Sequence, residues 1–403
     1  MNSCFFDRFG RALVAVLLAG MALAGFLPVA NAQLSFVFTN PPPQAVPRRP
    51  SIILIVANGL GYGDLSCYGQ TKFQTPNLDR LAAEGIRFTS YYAGNTASSP
   101  ALAALLLGRD SKHLRQRADA DIPLAPGEIT VAQILRQSGY HTGLIGGWNL
   151  GDDATGGAPW KKGFDEFAGY FDPGNAENFY ADYIWRYAPG GVLNPTNNQR
   201  EDFVGREVIY SNTQGKNQYI PDLLTKAALN FVQNNQPDQF NRFRPFFLLL
   251  HYSIPGAGNG PVPTDAPYSE QPWPQPQKNK AAMITRLDGY VGQLLEQLQK
   301  LNLTNETVIF FTSDTGPKQG GGVDPSFFRS IVSSNSLRVP MIVSWPPRIP
   351  AGQVSAFAWT ASDFLPTATA VAHLKPQPNI DGVSILPTLS GQTQTNRHAF
   401  LKE

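Results

Sequence analysis

Residues Ser51 to Ala57 form an uninterrupted apolar run that is rich in β-branched side chains. A strand with one solvent-facing side would alternate apolar and polar residues, but this run has no polar position after its first serine. The run therefore predicts a strand covered on both faces, which is typical of a parallel sheet between two layers of helices.

Helical patterns alternate with further runs of this kind. Thr75-Pro76 begins one predicted helix, which stops at Gly85, and Ala281–Leu301 carries apolar residues at helical spacing. We therefore predict an α/β fold with a mixed, mostly parallel sheet and helices on both faces. In such a sheet, functional side chains follow the carboxyl ends of the strands. Further helices are predicted over Glu128–Gln137 and Asp222–Asn234, and further strands over His141–Ile145, Pro245–His251, Thr307–Thr312 and Pro340–Trp345.

Composition narrows the class of protein. Of 403 residues, 42% are hydrophobic and 15% charged, which is enough apolar material for a large core. The net charge is +2 and no basic stripe with interleaved aromatic residues is present, so a nucleic-acid partner is not expected.

The N-terminus has the pattern of an export signal. Arg8 and Arg11 precede an apolar run from Ala12 to Val29, and Ala30-Asn31-Ala32 supplies a small-residue cleavage site. The alternative is an uncleaved anchor helix. After cleavage we expect no membrane span and a secreted or periplasmic protein. The predicted organisation is a signal peptide at 1–32, a proline-rich linker at 33–49 and one folded domain at 50–403.

Two polar residues near predicted element ends are candidates for chemistry. Ser98 opens the helical run that continues through Ala101–Leu107, so its hydroxyl either caps the helix or acts as a nucleophile near free N–H groups. Asp314 follows the predicted strand Thr307–Thr312, and is either a turn residue before Gly316 or a cation ligand.

Several blocks, in chain order, resemble the sulfatase family of the alkaline-phosphatase superfamily, with details similar to arylsulfatases of the galactosamine-sulfate-sulfatase type. Ser98–Arg109 resembles the family's C-x-P-x-R signature and the helix after it. The resemblance implies the sulfatase fold. It also places His398–Glu403 at the entry to a small C-terminal antiparallel subdomain, which is therefore expected to be truncated or absent. The other matching blocks are Ile55–Asp64, Thr75–Gly85, Tyr140–Gly151, Lys162–Gly169, Thr312–Pro317, Arg338–Pro340, Trp345-Pro346 and Asp381–Pro387.

The resemblance also implies which residue types the site should hold. Family members bind a metal, usually Ca²⁺, through two adjacent aspartates after the first strand and an Asp-Asn pair after a later one. A formylglycine made from the Cys or Ser of the signature attacks sulfur. Arg, Lys and His side chains stabilise the sulfate and the leaving group.

The metal positions depart from that pattern. Asn58 and Gly59 replace the paired carboxylates, while Asp314 is retained and Thr315 replaces the asparagine. Because Ca²⁺ takes about six to eight oxygen ligands, we expect its site to be largely lost and no cofactor to be bound. Asp314, Asn58 and Thr315 are the residual candidates for metal ligands.

The catalytic positions depart in the same direction. Ser98 stands at the formylglycine position, and no lysine remains between Phe328 and Arg338. His113, after the signature helix, is either a substrate contact or a solvated loop residue. The remaining replacements are Leu102 for the signature arginine, Gly147 for a lysine, Asn149 where many members have histidine, and Gly256 for a further histidine.

The sequence thus predicts a secreted sulfatase-family protein that is inactive as a sulfatase. Its partner would be a sulfated glycan or a protein. The alternatives are an active sulfate- or phosphate-ester hydrolase that uses Ser98, and a decaying product without a selected function.

Overall fold

The computed structural model describes residues 49–116, 122–172, 174, 178–194, 196, 199–236, 244–256, 260–317, 324, 327 and 337–395. The predicted signal peptide, the linker apart from Arg49, most of the segment between Phe328 and Arg338, and His398–Glu403 lie outside these residues.

The described strands form one ten-stranded sheet and a two-stranded one. They are β1 (Ser51–Asn58), β2 (Ile86–Phe88), β3 (Tyr91–Tyr92), β4 (His141–Gly147), β5 (Glu166–Tyr170), β6 (Tyr183–Asn194), β7 (Gln199–Val208), β8 (Phe246–Pro255), β9 (Thr307–Ser313), β10 (Met341–Ser344), β11 (Gln353–Ser355) and β12 (Trp359–Thr360). The large sheet has the order β11-β2-β10-β9-β1-β8-β4-β5-β6-β7. Its centre, β9-β1-β8-β4-β5, is parallel, and β10, β6 and β7 pair antiparallel. The predicted mixed sheet is confirmed.

Helices cover both faces of this sheet. The α-helices of the described part are α1 (Pro76–Ala83), α2 (Ser98–Leu107), α3 (Val131–Gln137), α4 (Tyr210–Thr213), α5 (Ile220–Asn234), α6 (Gln275–Lys300), α7 (Phe364–Val371) and α8 (Leu386–Leu389). Short 3₁₀ helices span Tyr62–Asp64, Ser66–Tyr68, Pro159–Lys162, Thr304–Glu306 and Ala361–Asp363. No helix in these ranges is long and apolar enough to cross a membrane.

The first strand shows how the two layers arise. Ile53 and Ile55 belong to one buried core, which includes apolar side chains of α1, α5 and α6. Ile52 and Leu54 point the other way, into a second core with side chains of α2, α3 and α7. Every residue of β1 is buried, as its uninterrupted apolar sequence predicts.

Three helix starts differ from the prediction, and one of them is α5, which begins at Ile220 instead of Asp222. The helix predicted from Glu128 begins only at Val131, because Thr130 is its N-cap and forms a capping box with Gln133. The helix predicted from Ala281 begins earlier, at Gln275, with a proline in its first turn.

The hairpin of β6 and β7 has no counterpart among the predicted strands. Most side chains of β7 are exposed, so neither a buried apolar run nor a clear alternation marks it in the sequence.

Parallel pairing brings four strand ends to one edge of the sheet. β1, β4, β8 and β9 run in the same direction and end at Asn58, Gly147, Pro255 and Ser313. The first residue of α2 also contacts this edge, through the side chain of Asn58. Residues that are far apart in sequence therefore meet there.

Candidate active site

The carboxylate of Asp314 is the centre of a buried polar cluster just after β9. Its Oδ2 accepts hydrogen bonds from Asn58 Nδ2 at 2.8 Å and from the Ser98 hydroxyl. Its Oδ1 accepts from the Gly59 N–H and from the Thr315 hydroxyl, each at 3.2 Å. Asp314 is 1% exposed, so its charge is stabilised by contacts within the protein rather than by water. We call Asn58, Ser98, His251, Asp314 and Thr315 the Asp314 cluster.

Ser98 directs its hydroxyl into this cluster and not at the end of its own helix. The N-cap of α2 is Ala97, and no side chain caps the helix. The Ser98 hydroxyl donates to Asp314 and accepts from Asn58 Nδ2 at 3.1 Å. The interpretation of Ser98 as a helix cap is therefore wrong. Residues Ala101–Leu107 are buried, which fixes the position of Ser98.

His251 is the member of the cluster that the sequence analysis missed. It lies in β8, is 3% exposed, and donates from Nδ1 to the Gly147 carbonyl at 2.7 Å. Its Nε2 is 3.3 Å from Asp314 Oδ2. An available signal was that His251 is an ionisable residue directly after the apolar run Phe246–Leu250, near the carboxyl end of a central strand.

The imidazole of His251 fills the space in front of Gly147. A Cβ atom added to Gly147 would lie 3.4 Å from His251 Nδ1 and 3.9 Å from Asn149 Nδ2. A side chain at this position would therefore begin in van der Waals contact with the imidazole. Asn149, in a left-handed conformation with φ of 53°, thus borders the cluster. Its Oδ1 is buried and accepts no hydrogen bond from the described residues.

The backbone closes over the position of Gly59. This residue has φ of +70°, and an added Cβ would lie 2.7 Å from the carbonyl oxygen of Gly256. The Gly256 N–H in turn donates to the Asn58 carbonyl at 2.7 Å. A side chain at 59 would require the backbone to move, because both its conformation and the space exclude a Cβ.

The resemblance implies a Ca²⁺ site at the Asp314 cluster. N–H and O–H donors approach both oxygens of Asp314. Asn58 points its side-chain NH₂ group, and not its carbonyl oxygen, at this carboxylate. Within the part of the chain that the structure describes, no three His, Cys, Asp or Glu side chains are grouped to hold a metal.

His113 and Leu102 lie apart from the Asp314 cluster. His113 follows the C-terminal end of α2, and its Nδ1 is 2.8 Å from Asp381 Oδ1. The ten residues of α2 separate it from Ser98 by roughly 15 Å along the helix axis. Leu102, at the position of the signature arginine, is fully buried among core side chains. Of the predicted site residues, the structure thus joins Asn58, Ser98, Asp314 and Thr315, with Asn149 beside them.

The chain is similar to known sulfatases. A sulfatase family model matches residues 50–374. The N-acetylgalactosamine-6-sulfatase of Canis lupus familiaris is 32% identical over 88% of this chain and 68% of its own length, and arylsulfatase A of Homo sapiens is 31% identical over 88% and 71%. The chain spans about two thirds of the length of these relatives. The crystal structure of Ps i-CgsB in complex with k-i-k-neocarrahexaose matches with a TM-score of 0.67 at 28% identity, over 85% of this chain and 76% of that one.

Proposed function

This chain belongs to the sulfatase family, and on that premise we propose that it is a family member that no longer hydrolyses sulfate esters. The observation that carries the proposal is the hydrogen bonding of Asp314. Both of its oxygens accept hydrogen bonds from neutral donors of the chain, at the position where the family resemblance implies a bound cation. A hard cation would have to displace these donors and find other oxygen ligands.

The missing cationic side chains support the same conclusion. Leu102 is buried in the core, and Gly147 and Gly256 present no side chain to the cluster. Removing one group that stabilises a developing oxyanion costs about 10²–10³ in rate. Even if such losses are not additive, three of them together leave no useful rate for a sulfate ester.

The fold around the cluster supports a protein that binds without turnover. Both cores and the central parallel strands are intact, while the replacements concentrate at the strand ends. We expect the partner to be a sulfated glycan or a protein. We expect export as well, because the first 32 residues have the pattern of a signal peptide.

One contact favours a second candidate, a hydrolase that uses Ser98. The Ser98 hydroxyl donates to the Asp314 carboxylate, which is the arrangement of a nucleophile and a base. A carboxylate is a weak base for a serine hydroxyl, because the ordinary Asp pKa is about 3.9. We therefore place this candidate second.

Mass spectrometry and one assay distinguish the two. The purified chain is tested with an aryl sulfate and an aryl phosphate in excess Ca²⁺, beside Ser98→Ala as the matched control. We expect no turnover above that control, and an unmodified serine in the peptide that contains Ser98. Turnover that disappears in Ser98→Ala, or a loss of two hydrogens from the peptide on conversion to formylglycine, would overturn the proposal.

A further inference from the structure

A cavity of about 260 Å³ opens at the other end of the signature helix. Its apolar wall is formed by Ala93, Ala104 and Leu337, beside the ring of Tyr92. Arg109 and Lys112, which follow α2, also line it. An apolar recess with a few charged groups at its wall is the usual form of a small-molecule site.

The two cations of this cavity have no partner in the described parts of the chain, since neither forms a hydrogen bond or an ion pair there. The neighbouring polar groups are already engaged. Ser362 Oγ donates to Asp110 Oδ1 at 2.7 Å and lies 2.7 Å from Thr360 Oγ1. The cations are therefore the groups left to bind an incoming anion.

The end of α2 does not neutralise these cations. Helix C-termini present carbonyl oxygens with partial negative charge. Here the Gly108 carbonyl accepts hydrogen bonds from the N–H groups of Asp381 and Gly382, at 2.9 and 3.2 Å. This oxygen is thus satisfied within the backbone. Asp110 also lines the cavity, so Arg109 and Lys112 together with this carboxylate give the lining one net positive charge, which suits a monoanion.

Volume and lining together define the ligand class. Typical small-molecule pockets measure about 300–1,000 Å³, so this cavity is slightly smaller than that range and accommodates roughly one ring with one substituent. The apolar wall suits the ring, and Arg109 and Lys112 suit a single anionic head. We infer that the cavity is a binding site for a small cyclic monoanion, such as an aromatic carboxylate or sulfate.

This site is independent of the Asp314 cluster. Ala104 is the cavity residue of α2, and it lies roughly 9 Å from Ser98 along the helix axis. A ligand in the cavity is therefore not positioned for chemistry at Ser98. The inference holds whether or not the chain hydrolyses esters.

Ligand-observed NMR titrations of the full chain test the inference, with benzoate and phenyl sulfate as probes. Benzamide tests whether the charge is needed, and inorganic sulfate, added as a competitor that would displace benzoate, tests whether the ring is needed. We expect both anionic ring probes to saturate with a dissociation constant on the order of 1 mM, as their few heavy atoms allow. Benzamide and inorganic sulfate should each bind at least about tenfold more weakly.

Variants locate the binding. The double substitution Arg109→Gln/Lys112→Gln should weaken benzoate at least about tenfold. Lys300→Gln, which neutralises an exposed cation at the end of α6, and Ser98→Ala should leave it unchanged. Lys112→Gln alone changes only an exposed residue, so it reports on the charge if the double variant fails to fold.

Three results would overturn the inference. The first is that benzoate does not saturate the protein up to 20 mM. The second is that benzamide or inorganic sulfate binds with a dissociation constant within about fourfold of that of benzoate. The third is that a folded double variant binds benzoate with an unchanged dissociation constant.

Discussion

Asp314 shows, at the residue scale, how a charged side chain becomes part of the fold. It is nearly fully buried, yet its carboxylate accepts hydrogen bonds from Asn58, Gly59, Ser98 and Thr315. Hydrogen bonds to a charged group contribute about 1.5–3 kcal/mol each, more than those between neutral groups. These bonds tie the ends of β1 and β9 to the start of α2, so Asp314 stabilises the strand ends themselves.

We predict that Asp314→Asn lowers the free energy of unfolding by about 2–4 kcal/mol. The substitution turns one acceptor oxygen into an NH₂ group, which then faces the donors of its neighbours. Denaturant unfolding measures the change. Asp153→Asn is the matched control, because this carboxylate is largely exposed and its partners are solvent-exposed Lys161 and the Nε1–H of Trp160. We expect a change within about 1 kcal/mol. If Asp314→Asn lowered the free energy of unfolding by as little as the control, Asp314 would not stabilise the strand ends as we infer.

His251 and Gly147 should be energetically coupled. A side chain at 147 begins in van der Waals contact with the imidazole, so we predict that Gly147→Lys destabilises the protein by about 1–3 kcal/mol. In a His251→Ala background the same substitution should cost less, because the imidazole is gone. A double-mutant cycle by denaturant unfolding gives the coupling. Equal costs in both backgrounds would show that the two positions do not compete for space, and Gly147→Ala serves as the control with a small effect.

α2 illustrates, at the scale of one element, how a helix can hold a site residue rigidly. All residues from Pro100 to Leu107 are buried, so the helix has no solvent face and is fixed by packing. It ends at Gly108, whose φ is 64° and whose N–H donates to the Ala104 carbonyl at 3.0 Å. That left-handed cap also turns the chain toward the cavity residues Arg109 and Lys112.

We predict that Gly108→Ala lowers the free energy of unfolding by about 1–2 kcal/mol. An alanine at this position would have to adopt a left-handed backbone conformation, and its Cβ would lie 3.2 Å from Leu365 Cβ. Gly127→Ala is the matched control, since an added Cβ there meets nothing within 4 Å and its φ is not in the left-handed region. We expect the control to be neutral or slightly stabilising in denaturant unfolding. An unchanged free energy of unfolding in Gly108→Ala would show that a side chain does not strain this cap.

Two cores, one on each face of a single large sheet, organise the whole molecule. The strand ends at one edge of that sheet are held by the hydrogen bonds of Asp314 and by the close approach of Gly59 and Gly256. Contacts between protein atoms thus link the strand ends at this edge, and we propose that their stability does not depend on a bound metal.

Calcium should therefore leave thermal stability unchanged. We predict a change in Tm of less than about 1 °C between excess EDTA and 1 mM Ca²⁺, measured by differential scanning calorimetry. A site with micromolar affinity would stabilise the folded state by about 4 kcal/mol at that concentration, which shifts Tm by several degrees. Such a shift, absent in Asp314→Asn, would contradict the proposed loss of the calcium site.

Residue patterns alone predict the architecture and which polar residues meet at one edge of the sheet. The apolar run of β1 has no polar face, so it can fold only where both sides are covered, and the structure has helices on both sides. The strand-end rule and the family motifs also led to Asn58, Ser98, Asp314 and Thr315, which the structure brings together. These inferences succeed because hydrophobic patterning and strand direction are local or nearly local properties.

The contacts among these side chains, in contrast, depend on how the separate elements pack in the folded chain. Asn58 and Asp314 are 256 positions apart, and which amide atom faces the carboxylate depends on strand register and side-chain rotamers. The imidazole of His251 occupies the space in front of Gly147, and Gly256 excludes a side chain at Gly59. Each is a contact between separate elements, set by distances of a few ångströms that no local sequence pattern encodes.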